Sequence, residues 1–338
     1  MGKRIWTTDL LTVAAGSPEE YVRLFDEITD ALTTVCGLVQ TGDTGQLDSL
    51  SPPSLSANLS SNNLFGYRIF RFNDSLQAVR PIYLRIEMKY VVRSNQTTDR
   101  LPYFTFQVGA GSDGVGSLTA PGVAYSRPYS WGGSAWSALS VMPSGGYPSF
   151  ACGGDGFAWL AFKVGAIPVL AQAGQPYPPR TNAKGAMFIL AIMRSTNVDG
   201  ELTGEGLMSY FGTTMYQNGS SVYWTSGLQS PVLEVRNSGG ITVCGDTLNV
   251  PLLQTFPTSG GKPILGRIST PFAGLPASPF LGVTSIYLAD GDTFTAALVG
   301  ATERGYIYPG ASFSTMQFTP NNTPPWAAPF FLWEGANV

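Results

Sequence analysis

The chain has 338 residues, a formal net charge of −3 and no histidine, and only 12% of its residues are charged. A typical soluble domain is about one quarter charged, so this surface must consist largely of small polar and aromatic side chains. Without imidazole the chain cannot have a histidine general base, a Ser-His or Cys-His dyad, or a histidine metal ligand. We therefore predict that the protein is not an enzyme and has no catalytic residues and no cofactor.

The composition favours a folded β protein. Hydrophobic residues reach 43%, and 40 glycines and 25 prolines interrupt the chain at short intervals, which is typical of many short strands joined by turns. The basic residues are scattered, so we predict no nucleic-acid partner. Lys163 and Pro168 interrupt the most apolar window, and we predict no membrane span.

The three cysteines, Cys36, Cys152 and Cys244, lie far apart in the sequence. No CxxC pair or zinc-ligand spacing is present, so we predict no metal site. Reduced thiols that pack as small apolar groups are the simplest interpretation. One disulfide with one free thiol remains the alternative.

One amphipathic helix is predicted near the N-terminus. Ser17 is a helix N-cap, Pro18 occupies the first helical position, and Glu20 completes a capping box. An apolar stripe then recurs at three- and four-residue steps, and Gly37 suits a left-handed stop. The stripe consists of Tyr21, Leu24, Phe25, Ile28, Leu32 and Val35. We expect it to pack against a sheet or a neighbouring subunit.

Residues 41–63 are rich in Ser, Gly, Asn, Asp and Pro and predict a loop or extended linker. After them the hydrophobic period becomes two, which predicts strands. In residues 82–89, for example, Ile82, Leu84 and Ile86 alternate with polar or aromatic side chains. Further strands are predicted at 67–72, 103–108, 157–164, 186–193, 221–225, 232–236, 241–244, 283–288, 294–298 and 330–334, with a tight turn at Asp290-Gly291.

These elements predict a mainly β fold: an antiparallel β-sandwich of one or two β modules with a single N-terminal amphipathic helix. We divide the chain into the helix and linker (1–60), a β-sandwich domain (61–198), and residues 199–338. The last part is either a second β domain or the second half of the sandwich.

Two sets of residues could carry a ligand. Residues 109–114 match GxGxxG, but the following residues contain a further glycine and Pro121, which do not suit the helix that a dinucleotide site needs. A glycine-rich hairpin is the better interpretation. Acidic residues in glycine-rich turns, such as Asp113 and Asp155, could hold a structural cation, although turn geometry alone selects them.

Several blocks of the first third resemble virion structural proteins of tailed bacteriophages, often described as tail proteins. They are the segments 6–10, 37–46, 66–77, 81–87 and 108–119. The resemblance is strongest over residues 5–120 and fades after about residue 195. It implies a particle component present in several copies, with no catalytic residues to transfer, and localisation in the virion after assembly in the host cytoplasm.

We therefore predict a structural subunit of the tail or tail tip, with copies of itself and other virion proteins as partners. A capsid decoration or head-fibre protein is one alternative. A tail protein that binds or depolymerises a host-surface carbohydrate, with a host glycan or receptor as partner, is another. The candidate interface residues are Trp6, Tyr21, Leu24, Phe25, Ile28, Leu32, Trp131, Trp136, Trp224 and Trp333.

Overall fold

The structure is a computed structural model. It describes residues 2–8, 17–55, 63–93, 96–122, 125–126, 147–167 and 184–196, together with a series of strands beyond residue 201. Within these residues the chain is mainly β, with nearly all strand pairs antiparallel and one helix near the N-terminus. This confirms the predicted fold class.

The described strands fall into two groups along the chain. Those before residue 200 are β1 (Gly2–Thr8), β2 (Val39–Gln40), β3 (Asn63–Arg71), β4 (Tyr83–Arg93), β5 (Gln96–Gly109), β6 (Gly111–Ser112), β7 (Leu118–Thr119), β8 (Tyr125–Ser126), β9 (Tyr147–Gly154), β10 (Phe157–Ile167) and β11 (Lys184–Thr196). Those after it are β12 (Leu202–Asn218), β13 (Val222–Thr225), β14 (Val232–Asn237), β15 (Thr242–Thr247), β16 (Leu265–Ile268), β17 (Ser278–Val283), β18 (Thr293–Ala296), β19 (Arg304–Ile307), β20 (Ala327–Pro329), β21 (Phe331–Leu332) and β22 (Ala336–Asn337).

The helix α1 (Pro18–Asp30) begins as the sequence predicts. Ser17 accepts a hydrogen bond from the Glu20 N–H, and the Glu20 carboxylate accepts one from the Ser17 N–H. These two bonds satisfy N–H groups that the first helical turn leaves without partners. A π-helical turn (Ala31–Val35) follows, and Gly37 then reverses the chain at φ 72°.

A five-stranded sheet in the order β2-β3-β4-β5-β8 supports this helix. In β4 the predicted alternation is confirmed, because Leu84, Ile86 and Met88 are buried whereas Arg85 and Lys89 on the opposite face are partly exposed. The Phe25 ring of α1 meets the Phe104 ring of β5 edge-on, with centroids 6.1 Å apart. The helix therefore covers the apolar face of the sheet.

A larger sheet follows the order β15-β14-β12-β11-β10-β9-β1-β22, with β13 paired to β12. The ladder between β11 and β12 pairs Arg194 with Leu207, so it joins a strand before residue 199 to a strand after it. Strands on both sides of that position therefore share one sheet. The division of the chain into domains stays a prediction.

The two sheets share one hydrophobic core with the helix. Buried residues of α1, of the five-stranded sheet and of β9–β11, such as Phe25, Phe70 and Leu160, form a single cluster. Gly153 in β9 lies so close to the Cys36 backbone that a Cβ atom there would overlap it. The glycine therefore lets the end of the helix approach the larger sheet.

An ion pair inside the protein also joins the two sheets. Arg194 of β11 donates two hydrogen bonds to Asp74, from Nε to Oδ2 (2.6 Å) and from Nη2 to Oδ1 (2.9 Å). Both side chains are at most 2% exposed. Arg194 also donates to the Arg80 carbonyl oxygen and to the Gln77 side chain. Asp74, Gln77 and Arg80 belong to the loop between β3 and β4, so this contact fixes that loop on the larger sheet.

The structure differs from the sequence prediction at several strands. The N-terminal strand β1, the strand β9 and the 17-residue strand β12 were not predicted. Only the first residue of the predicted strand at 283–288 is described, because β17 ends at Val283 and residues 284–292, including Asp290-Gly291, lie outside the described residues. In the part of the chain that the structure describes, no helix is long and apolar enough to cross a membrane.

Candidate interaction surface

The five helical candidates for a subunit interface are core residues. Tyr21, Leu24, Phe25, Ile28 and Leu32 are each at most 1% exposed, because the stripe packs on the sheets of its own chain. This corrects their assignment to an interface and answers the choice that the sequence left open between a sheet and a neighbouring subunit.

The tryptophan candidates are less informative. Trp6 lies in β1 and Trp224 lies in β13, whereas Trp131, Trp136 and Trp333 lie outside the described residues. Their assignment to an interface stays a prediction.

A groove runs along the polar face of α1, opposite the buried apolar stripe. It has a volume of about 630 Å³ and lies between the helix and the loop that follows β2. Four carboxylates and one guanidinium line it, next to one aliphatic and one proline side chain of the loop. The helix contributes Glu19, Val22, Arg23, Asp26, Glu27 and Asp30, and the loop contributes Ser49, Leu50 and Pro52.

Ion pairs fix the carboxylates of this groove. Arg68, which is 4% exposed, reaches from β3 to Asp26 (Nη2–Oδ1 2.6 Å), and its guanidinium lies 4.9 Å from the centre of the Phe25 ring. Arg4 pairs with Asp30. Asp26 and Asp30 nevertheless keep 45% and 51% of their side-chain surface exposed. Both can therefore still meet a partner.

The carboxylates at the two ends of the groove are stabilised in the charged form. A hydrogen bond with Ser17 lowers the pKa of Glu19, and hydrogen bonds from Thr34 and Arg4 lower the pKa of Asp30. Both groups are therefore ionised at neutral pH. Arg68, Arg23 and Arg4 pair with Asp26, Glu27 and Asp30, so Glu19 is the carboxylate of the lining outside these ion pairs. Four carboxylates against three arginines leave the groove with one net negative charge.

Leu50 stands at the rim of this groove and is 91% exposed. Its N–H donates to Asp48 Oδ1 (2.9 Å), and the Ser51 N–H donates to the Asp48 carbonyl oxygen. An aspartate that accepts from the backbone two residues later fixes a turn. The loop therefore presents an aliphatic side chain to solvent on a defined backbone.

In the hairpin formed by β6 and β7, an aspartate likewise fixes the backbone next to an exposed aliphatic side chain. Asp113 accepts from the N–H groups of Val115 and Ser117 (both 2.9 Å), and these bonds lower its pKa. Val115 at the tip is 67% exposed. Gly116 has φ 104°, and a Cβ atom there would overlap the Tyr67 hydroxyl. The GxGxxG segment is thus a glycine-rich hairpin, as predicted.

Hydrogen bonds fix this hairpin against the loop after β2. The Thr44 N–H donates to the Gly114 carbonyl oxygen (2.9 Å), and the Ser112 hydroxyl donates to Asp43. Burial raises the pKa of Asp43, but hydrogen bonds from Ser112 and other donors outweigh it and leave that pKa below its ordinary value. Asp43 and Asp113 thus both accept hydrogen bonds from neighbouring O–H or N–H groups. Among the described residues, no group of three His, Cys, Asp or Glu side chains could hold a metal ion.

The loop between β3 and β4 is the third example. Asp74 accepts from the Leu76 N–H (3.2 Å) as well as from Arg194, and the Val79 and Arg80 N–H groups donate to the Leu76 carbonyl oxygen. Val79 is 66% exposed. Three loops of the described part therefore combine an aspartate-bonded backbone with an exposed aliphatic side chain. Leu50, Val79 and Val115 were not among the predicted interface residues, although Asp48-Ser49-Leu50 and Asp113-Gly114-Val115 share an Asp-x-aliphatic pattern that could have indicated two of them.

The buried thiols are expected to be unreactive in the folded protein. Burial and, to a smaller extent, Cys152 raise the pKa of Cys36 to about 12, and burial raises the pKa of Cys152 to about 12. Only the thiolate is an effective nucleophile. At pH 8 we expect an alkylating reagent to leave both residues unmodified in the native protein and to modify them in denaturant, as measured by peptide mass mapping.

A Leu50→Cys variant is the matched control, because position 50 is exposed and a thiol introduced there should be modified rapidly. Native labelling of Cys36 at a rate similar to that of the introduced thiol would contradict the prediction. Since both folded pKa values lie above the ordinary value of 9.0, the stability from the buried neutral thiols is complete below pH 9 and falls as the pH rises towards 12.

Comparisons with models of protein families, with curated proteins and with solved structures find no match to this chain.

Proposed function

We propose that the chain is a non-enzymatic structural subunit of a tailed-phage virion, belonging to the tail or tail tip, and that it assembles in multiple copies. The observation that carries the proposal is the set of three fixed loops with exposed aliphatic side chains: Leu50, Val79 and Val115. Isolated exposed aliphatic residues are common. Their shared placement on aspartate-bonded loops is what favours contacts with other subunits.

Fixed loops lower the entropic cost of association. A loop whose backbone is already fixed loses little conformational entropy when a partner binds it. Burial of its aliphatic side chain then adds favourable free energy, about 25 cal/mol for each Å² removed from water. The hydrogen bonds to Asp48, Asp74 and Asp113 supply this fixed backbone.

Two further observations support a structural role. The resemblance of residues 5–120 to tail proteins covers the helix, four strands of the five-stranded sheet (β2 to β5) and all three loops. Some charged residues of the described part hold the fold together, as in the Arg194–Asp74 and Arg68–Asp26 pairs. With 12% charged residues overall, the surface resists association less than an ordinary charged surface does.

The first test measures self-association. We expect sedimentation velocity of the purified chain to show oligomers that grow with concentration, and Leu50→Asp or Val115→Asp to raise the dissociation constant at least about tenfold. Leu50→Met and Val115→Ile are the matched controls, because they keep an aliphatic surface. A chain that stays monomeric at every concentration would refute the proposal.

The second test separates positions in the particle. Quantitative mass spectrometry of purified phage particles counts copies of the chain: a tail-tip protein is present in a handful of copies, whereas a decoration protein is present in hundreds. Particles that lack the chain would contradict any structural role in the virion.

A further inference from the structure

We propose that the acidic groove along α1 receives the loop between β3 and β4 of a second copy of this chain, in a head-to-tail contact. The inference rests on the proposed function, since it names the partner surface that self-assembly would use. The segment that binds in the groove is residues 73–81 together with Arg71. We call this segment the basic loop.

The two surfaces carry opposite charge. The groove lining holds four carboxylates, of which Asp26, Glu27 and Asp30 pair with Arg68, Arg23 and Arg4. Glu19, which is exposed and outside these ion pairs, supplies the remaining negative charge. Asp74 in the basic loop is already neutralised by the buried Arg194, so the loop presents Arg71 and Arg80 without a compensating acid of its own. Both arginines are partly exposed. Complementary charge of this kind guides association and fixes the orientation of the partners.

Each surface also carries an exposed aliphatic side chain beside its charges. Leu50, 91% exposed, lies at the rim of the groove, and Val79, 66% exposed, directly precedes Arg80 in the basic loop. An apolar centre with charged surroundings is the usual composition of a protein–protein contact. Contact between the two surfaces would remove both aliphatic side chains from water.

The basic loop is fixed in a shape that can enter a groove. Arg194 holds Asp74 and the Arg80 carbonyl oxygen, the second at 2.6 Å, and Gln77 bonds to both main-chain polar groups of Ile82. The backbone that carries Val79 and Arg80 therefore has little freedom to lose on binding.

The positions of the two surfaces favour contact between copies. Tyr21, in the first turns of α1, packs on Phe65 near the start of β3, with ring centroids 5.2 Å apart, whereas the basic loop begins after the end of β3 at Arg71. Seven residue steps of strand from Phe65 to Phe72 span about 23 Å. The N-terminal end of the groove and the basic loop therefore lie at opposite ends of this strand. A contact of this type is heterologous and produces rings or filaments.

A reciprocal charge exchange tests the inference on the full chain. We expect Arg80→Glu and Glu19→Lys each to raise the dissociation constant of self-association about tenfold or more, and the double variant Glu19→Lys/Arg80→Glu to return to within about threefold of the wild-type value. Glu19 suits the exchange because it is exposed and is not part of the three ion pairs in and around the groove. Sedimentation velocity gives each constant, and higher salt should weaken the wild-type contact.

Thr119→Glu is the matched control, since Thr119 is exposed on β7 and belongs to neither surface. Thermal unfolding of every variant checks that the fold is retained. A wild-type chain without self-association would refute the proposed function itself. Self-association that neither single variant weakens, or that the double variant does not restore, would overturn only this inference and place the contact on another surface.

Discussion

Replacing Asp74 with alanine is expected to lower the free energy of unfolding by about 3–5 kcal/mol. The substitution leaves the Arg194 guanidinium without its carboxylate in a site where the arginine side chain is 1% exposed. The Arg80 carbonyl and Gln77 side chain still accept hydrogen bonds but carry no compensating charge. Urea unfolding followed by circular dichroism measures the change.

Two variants show whether burial causes this effect. Asp30→Ala breaks the Arg4–Asp30 pair, whose side chains are 34% and 51% exposed, and should cost less than about 1 kcal/mol. The double variant Asp74→Leu/Arg194→Met removes both charges and should recover most of the loss. If Asp74→Ala and Asp30→Ala cost the same, the proposed importance of the buried pair would be wrong.

Phe25→Ala is expected to destabilise the protein by about 3–5 kcal/mol, because it leaves a cavity in the shared core. Phe25 is fully buried, packs edge-on against Phe104, and lies under the Arg68 guanidinium. Urea unfolding at a protein concentration low enough to limit association measures the loss in the single chain.

The Phe25→Ala variant also tests whether Phe25 is a core residue or an interface residue. Val115→Ala, at an exposed loop tip, should change the free energy of unfolding by no more than about 0.5 kcal/mol. If Phe25→Ala instead dissociated an oligomer and left the unfolding of the monomer unchanged, the assignment of the helical stripe to an interface would be restored.

Local signals in the sequence predicted the first part of the fold well. The capping box of Ser17 and Glu20 and the left-handed Gly37 depend on neighbouring residues only, and both are present. The alternation of residues 82–89 was clear because one face of β4 packs on the helix while the other carries charged side chains. In each case the pattern and the structure have the same physical cause.

Other strands were not predicted because their sequences are determined by long-range packing. β9 contains Gly153 and Gly154, and β12 contains Gly204, Gly206 and Gly212. Glycine weakens strand propensity and resembles a turn in the sequence. At Gly153 the reason for glycine is the backbone of Cys36, which is 117 positions earlier in the chain, and no local pattern records that contact.

The candidate surface was harder to predict than the fold. A helical apolar stripe has the same pattern whether it covers its own sheet or a neighbouring chain, so the sequence could not choose between them. The exposed aliphatic residues are single side chains in polar loops. What distinguishes Leu50 and Val115 is the hydrogen bond from each N–H to an aspartate two residues earlier, which only the folded backbone reveals.

The pairing of β1 makes assembly of the larger sheet slow during synthesis. Gly2 is opposite Gly153 on one side and Ala336 on the other. At about 5–20 residues per second, the ribosome needs roughly 8 to 30 s to make the first of these partners, and more than twice as long to reach the second. In that interval the edges of β1 are open to other nascent chains.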